Sequence, residues 1–498
     1  MKNLILYIVV FTLPLVGFSQ VSYEERIEHK LKEGYEDHRI FPLGKNGFVA
    51  RTKASSRLEN LREWKFDFYD TNLTQVKSKQ IDIHHKYLAA ETLVLGQHIH
   101  TLFKTKKGQF TVVSINISTM ETFTVEGMVT KEAGINEMAV LGDFAYFKTR
   151  IKKHPYLFSI NWKTGQQKPI PVSVYGIQPK KISFDNFQLL KSTNEIFLYA
   201  SAEVEPKRTE TFIIRLNDKG EKIDMYSLTD GLEESVVGIS AFNIAKDQYI
   251  FTGTYTTNTR RASEGVFFCS TIGDEIGHIE FYKFLDLDNF LSYLPEKKQE
   301  KIARKKERKK QQGKELTYNY QLVNHDIIRQ EDGFVMLGEV YYPTYVSQAV
   351  YSASGNTRYV QQFDGYYYTH AVIAKFGLDG KLLWDQTFEL RPSYKPFTVK
   401  KFIALEEQNK QTLKLVFPNM NKIVSKVIGI DGTVLQEKES ERIETVYEGD
   451  YAKRGRTYID FWYDNYFLTY GEQKIKNKLD DKVPTARKVF FVSKVKFE

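Results

Sequence analysis

Cysteine occurs once in 498 residues, at Cys269. A single thiol excludes an internal disulfide and any structural metal site built from several thiolates. In the apolar stretch GVFFCST it reads as buried and inert. Catalytic punctuation is scarce as well. There is no Gly-x-Ser-x-Gly elbow, no phosphate-cradling glycine loop and no Cys/His cluster. Long apolar runs are absent except at the N-terminus, where MKNLILYIVVFTLPLVGFSQ sets Lys2 before an apolar run from Leu4 to Val16, then Gly17 and Ser19. That order is a secretory signal peptide over residues 1–19. It is shorter than the roughly 20 residues of a membrane span, and no cysteine follows to carry a lipid. The expectation is a secreted or periplasmic mature chain, monomeric, with no stable membrane insertion.

What the chain has in quantity is a repeated phrase. Hydrophobic residues make up 42% and aromatics 14%, enough for a large core. In FQLLKSTNEIFLYASAEVEPKRTETFIIRLNDKGEKIDMYSL (187–228), an apolar stretch, a tight turn, a second stretch, a variable loop, a third, a Gly/Asn turn and an alternating fourth follow one another. The phrase recurs from Arg39, Leu93, Met138, Phe242, Ile327, Phe402 and Tyr458, eight units in all. The third-to-fourth turns share the chemistry of NDKG (217–220), KTG (163–165), LDG (378–380) and IDG (430–432). Asp, Asn and Gly there supply the positive backbone angles of tight hairpin turns. Helical periodicity is nearly absent, so the expected class is all-β, antiparallel throughout.

Four-stranded meanders repeated in this way resemble a β-propeller, in which radial closure hides strand edges. Residues 20–498 are then one domain of eight blades, with seven blades plus a stray hairpin as the rival. The last unit ends at RKVFFVSKVKF, one strand short. Residues 21–31, VSYEERIEHKL, are the candidate outer strand that closes the ring. FGLDGKLLW (Phe376–Trp384) is similar to the turn-and-docking-tryptophan motif of quinoprotein-type blades, although it occurs once. EVYYPTY followed by FDGYYYTHAVIAKF is similar to secreted propeller-like proteins of Gram-negative gliding and gut bacteria. That resemblance covers about one blade and implies no activity.

One stretch breaks the pattern. Residues 296–316, EKKQEKIARKKERKKQQGKEL, carry ten Lys or Arg against four Glu, which is +6 of the formal net charge of +9. Pro295 suits a helix start, Glu296 and Lys309/Lys310 suit the two ends of the helix dipole, and Gly313 suits a stop. Ile302 and Ala303 are nearly its only apolar residues, so the helix has no face to bury and stands in solvent. The whole insertion spans 286–316. In a propeller the connection between blades and the loop from second to third strand emerge on one rim. The Tyr-rich loop 341–368, with eight tyrosines, is therefore the neighbour of the basic run. Other loops of that rim are basic too: Lys104, Lys106 and Lys107; Arg150, Lys152 and Lys153; Lys207 and Arg208; Arg260 and Arg261; Lys474, Lys476 and Lys478.

A rim of one sign concentrates anions, and tyrosine mixed with Ser, Gly and Asn is the composition of adaptable binding loops. The candidate ligand-binding residues are Lys305, Lys306, Arg308, Lys309, Lys310, Tyr341, Tyr342, Tyr345, Tyr366, Tyr367 and Tyr368. A signal peptide excludes a nucleic-acid function for the basic run. No catalytic residue, metal or cofactor is assigned. His98 and His100 share a strand face but lack a third ligand, His84 and His85 should point to opposite faces, and Asp286 or Asp288 reads as a helix cap. The chain reads as a secreted, non-enzymatic binding propeller for an anionic polymer or an acidic protein surface. The alternatives are a polysaccharide-active hydrolase or lyase with its site gathered at the axial mouth, where no local motif is needed, and an envelope scaffold.

Overall fold

The computed structural model describes residues 21–31, 35–131, 133–135, 137–205, 208–257, 262–351, 357–406, 411–479 and 483–497. The signal segment 1–19, Lys207, Arg260 and Arg261 lie outside the described residues. The described residues form eight antiparallel sheets: sheet 1 (35–84), sheet 2 (88–128), sheet 3 (138–170), sheet 4 (182–227), sheet 5 (235–283), sheet 6 (321–389), sheet 7 (404–442) and sheet 8 (450–497). In sheet 6 the first strand is broken into Gln321–Asn324 and Ile328–Gln330, both paired with Gly333–Tyr351. One α-helix, α1 (Glu296–Gln311), interrupts the series between sheets 5 and 6.

Burial follows position within each sheet. The second and third strands are buried along most of their middle, as in Ile196–Ala202 and Glu210–Leu216, because both of their faces meet a neighbouring sheet. Fourth strands such as Gln75–His84 are mostly exposed. The core is divided into clusters, each lying between successive sheets. Leu102 and Phe110 of sheet 2 pack with Phe147 and Phe158 of sheet 3, and the series continues through sheets 3–4, 4–5, 5–6, 6–7 and 7–8. Phe48 and Tyr69 of sheet 1 then pack with Trp462, Leu468 and Val492 of sheet 8, and Val49 and Trp64 with Phe103 of sheet 2. The succession returns to its start. Eight four-stranded sheets in this cyclic order are consistent with an eight-bladed β-propeller.

Sheet 8 takes its outer strand from the other end of the chain. Val21–Lys30 pairs antiparallel with Ala486–Phe497, from Val21 opposite Phe497 to Lys30 opposite Val489, with one bulge between Tyr23 and Glu25. Arg26 lies 4.3 Å over the Phe491 ring. Buried Arg487 bonds Asp450 in bidentate fashion at 2.8 and 2.5 Å and also reaches Glu28 at 3.1 Å.

The repeated turns lock neighbouring sheets. Asn161, Asn217, Asp379 and Asp431 each accept an N–H two residues on, which leaves the glycine of the turn at positive φ. At Gly432 (φ 85°) a Cβ would come within 2.6 Å of Trp384, whose Nε1 donates to the Ile430 carbonyl at 3.0 Å. The tryptophan of FGLDGKLLW thus docks on the turn of the next sheet. Trp462 does the same across the junction of sheets 8 and 1, donating to the Gly47 carbonyl at 2.7 Å.

Side-chain oxygens also accept N–H groups at the start of the following sheet. Glu137 accepts from Phe187 at 2.9 Å and Gln188 from Ala241 at 2.8 Å, while Glu91 accepts from Met138. Burial pushes the Glu91 carboxyl up to about 7 from its ordinary 4.5. A raised carboxyl favours the fold while protonated, so its contribution is full below pH 4.5 and is lost as pH rises through 7. Glu91→Gln is expected to flatten the stability-versus-pH curve over this window, by at most about 3 kcal/mol relative to the parent. Denaturation midpoints of the two proteins at pH 5 and pH 8 check this; equal pH slopes would refute it.

Candidate functional site

The basic helix is exposed, as its lack of an apolar stripe requires. No residue of α1 is buried. Two contacts fix it beside sheet 5. Lys306 Nζ donates to the Leu285 carbonyl at 2.6 Å and to Asp286 Oδ1 at 3.0 Å, and Lys305 Nζ lies 5.9 Å over the Tyr318 ring. Beneath it is a cleft of about 520 Å3 lined by Asp286, Lys306, Lys310 and Lys314. Arg308 and Lys310 are exposed and Lys309 is half-buried. Asp286 is therefore a tether for the helix, where a helix cap was expected. The N-cap of α1 is Pro295. The Asp288 and Asn289 N–H groups donate to buried Asp385, which uses this stretch to bind sheet 6.

The tyrosine segment corrects a second expectation. Most of 341–368 is not a loop: Gly333–Tyr351 and Thr357–Gly377 form one long hairpin, with bulges at Tyr341 and between Pro343 and Tyr345. Strand alternation splits the six candidate tyrosines. Tyr368 is buried, and its hydroxyl donates to the Lys400 carbonyl at 2.7 Å while accepting the Lys400 N–H at 2.9 Å. Tyr341 and Tyr366 pack against the cluster between sheets 6 and 7. These three hold the scaffold together, which leaves Tyr342, Tyr345 and Tyr367 exposed. The Tyr342 and Tyr367 rings lie 5.4 Å apart; Tyr345 meets Phe363 at 5.9 Å, and Phe363 meets exposed Phe397 at 6.0 Å.

The two insertions are joined at their bases. His370, fully buried on the hairpin, stacks on Tyr293 at 3.7 Å and meets Phe290 and Tyr320 edge-on, all from segments flanking α1. Burial drives the His370 imidazole down to about 3, so it stays neutral and acts as packing.

Of the other basic loops, two cations are bonded to backbone carbonyls, one on the connection into the next sheet and one on the next sheet itself. Lys104 Nζ donates to the Ile135 carbonyl at 2.8 Å and Arg150 to that of Ile182 at 2.5 Å. Arg208 pairs with Glu205 and Glu210. His98 and His100 lie against Trp162 at 4.9 and 5.0 Å. His100 Nδ1 is 2.7 Å from Ser114 Oγ, and burial lowers its imidazole to about 3. Among the described residues no group of three or more His, Cys, Asp or Glu is placed to hold a metal. His84 and His85 do not diverge as strand alternation suggested. The strand ends at His84, and the turn after it stacks the rings 4.6 Å apart.

A second constellation has no signature in the sequence. Arg39 on the first strand of sheet 1, Arg456 and Tyr458 on the first strand of sheet 8, and Tyr394 and Lys400 on the connection into sheet 7 converge. Arg39 and Lys400 lie 5.9 and 5.5 Å over the Tyr458 ring, and Arg456 lies 4.9 Å over that of Tyr394. Tyr394 and Tyr458 are 6.2 Å apart, and Tyr458 stacks on Tyr470 at 5.4 Å. Tyr470 donates to Asp460 at 2.7 Å. Burial, then the charges of Arg39 and Arg456, hold the Lys400 ammonium below the usual lysine range.

No protein-family model and no curated protein sequence matches this chain. Similar solved structures include the polysaccharide lyase Uly1, with 8% identity and a TM-score of 0.41 over 96% of this chain and 100% of that one. Another comes from a pair of prolyl endopeptidases, with 10% identity and a TM-score of 0.40; 90% of this chain matches 54% of that one, about half its length. A third is the Dos1 propeller, with 8% identity and a TM-score of 0.38 over 75% of this chain and 74% of that one. The likeness to all three is one of fold alone.

Proposed function

We propose that this chain is a secreted binding propeller whose rim at sheets 5 and 6 recognises an acidic partner, an anionic polymer or an acidic protein surface. The carrying observation is α1: a strongly cationic helix with no buried residue, tethered at Lys306 and seated next to a hairpin that exposes Tyr342, Tyr345 and Tyr367. A helix with no packing role in the core has its charge available to a ligand. Export by cleavage after residue 19, and kinship with secreted propeller-like bacterial proteins, belong to the same proposal.

Neutralising Lys305, Lys306, Arg308, Lys309 and Lys310 to Gln is expected to weaken binding to heparin or dextran sulfate at least about tenfold at low salt and to remove most of its salt dependence. Neutral dextran serves as the control. The melting temperature should stay nearly constant, because exposed charges contribute little to stability. Unchanged, still salt-sensitive binding to the anionic polymers would refute the rim proposal. Export is checked by the N-terminal mass of the protein recovered from the medium or periplasm.

A further inference from the structure

We infer that Arg39, Lys400, Arg456 and the Tyr394–Tyr458 pair form a second site, which binds a single oxyanion group: carboxylate, sulfate or phosphate. It does not rest on the rim proposal, since none of these residues belongs to α1 or to the tyrosine hairpin. The first argument is convergence. Three cations and two tyrosines reach one place from three elements that lie far apart in the chain, the first strands of sheets 1 and 8 and the connection into sheet 7. Like charges gathered this closely repel one another, and the arrangement is favourable only where something offsets the repulsion.

The second argument is that the chain offsets little of it. Asp37 contacts Arg39 at 3.4 Å but is shared with Arg51 at 3.1 Å. Asp460 is occupied by the Tyr470 hydroxyl, and burial raises its carboxyl, which weakens it as a counter-charge. Among the described residues, neither Lys400 nor Arg456 has a carboxylate within ion-pair distance. The Tyr394 hydroxyl is buried and faces that of Tyr458 without closing a hydrogen bond of normal geometry. Two cations with no carboxylate partner, Lys400 and Arg456, beside a pair of tyrosine hydroxyls are the complement of an oxyanion, which accepts charge-assisted hydrogen bonds. Burial first, and then the charges of Arg39 and Arg456, lower the Lys400 ammonium, so the two guanidiniums add to a cost that burial already sets.

The segment is also held rigid. Tyr368 clamps both backbone groups of Lys400, and buried Glu339 accepts the Phe402 and Ile403 N–H groups. Lys400 is therefore presented from a fixed backbone, the condition under which a charge binds without a large ordering cost.

The test is calorimetric titration of the full mature protein with sodium sulfate, sodium phosphate and sodium glucuronate at constant ionic strength, with glucose as the neutral control. At least one oxyanion is expected to bind saturably, one per chain, and glucose not at all. Arg456→Gln and Lys400→Gln should each weaken that binding at least tenfold, and Tyr394→Phe should weaken it measurably. The five-residue Gln variant of α1 should bind as the parent does. Tighter binding of glucuronate than of sulfate would assign a sugar acid, and the reverse a bare anion. Arg456 is exposed, so its variant keeps the fold, and an unchanged melting temperature verifies that. The inference is overturned if no oxyanion binds saturably, if Arg456→Gln and Lys400→Gln leave affinity unchanged, or if only the α1 variant loses binding. The last result would credit the rim instead.

Discussion

Deleting Val21–Lys30 is expected to cost roughly 5 kcal/mol or more and to make the chain aggregate. Val21 is buried, and Tyr23 and Ile27 pack into the clusters on either side of sheet 8. Burying three such side chains contributes about 1.5–3 kcal/mol each. The deletion also takes Glu28 from Arg487, leaving that buried guanidinium with Asp450 alone. Above all it uncovers the edge of Ala486–Phe497, an apolar strand whose unpaired N–H and C=O groups would recruit other chains. Melting temperature and size-exclusion profile are the readouts. The peptide 21–31 added in trans should partly restore both. A deleted protein that stayed monomeric with an unaltered melting temperature would mean that sheet 8 does not need its outer strand.

Glu339→Ala should destabilise the junction of sheets 6 and 7 by roughly 4 kcal/mol. Glu339 is fully buried and accepts the Phe402 and Ile403 N–H groups at 2.9 Å; its carboxylate also lies 2.8 Å from His325 Nε2. Truncation orphans all three, at about 1–3 kcal/mol for each unsatisfied buried group. Glu339→Gln keeps one acceptor oxygen and should lose about half as much. The same change should weaken oxyanion binding at the Lys400 cluster, because Lys400 lies two residues from Phe402 on the released segment. A shift in denaturation midpoint equivalent to less than 1 kcal/mol would show that water or another partner replaces the carboxylate.

Much of the architecture was legible because its causes are local. The Asn/Asp–Gly turns at 217–220, 378–380 and 430–432 need their glycines wherever the strands end up. The apolar alternation between them is a property of each strand alone. The helix of 296–311 was equally readable, since its polarity all round leaves solvent as its only environment. Expectations failed where neighbours in space decide. Reading 341–368 as a loop overlooked that Tyr, Val and Gln at alternating positions can extend a hairpin beyond the sheet. Tyr368, counted among the binding residues, is buried because the connection into sheet 7 folds over it. Asp286 and Asp288 had the composition of a cap, but Lys306 and Asp385 from other segments engage that stretch first.

Composition and periodicity by themselves determined the all-β class, the four-strand unit and the exposed basic helix, and left eight blades against seven for the packing of the sheets to decide. Each depends on interactions within a few tens of residues, or on the absence of any apolar face. The outer strand 21–31 was named from the sequence, but only the tertiary structure decided its register, with residue 21 opposite residue 497, which tyrosines face solvent, and that Arg39, Lys400 and Arg456 meet. Those contacts join positions from tens to hundreds of residues apart. They exist because the sheets pack in a cycle, and no short-range pattern in a chain encodes which side chains that cycle brings to its inner strands.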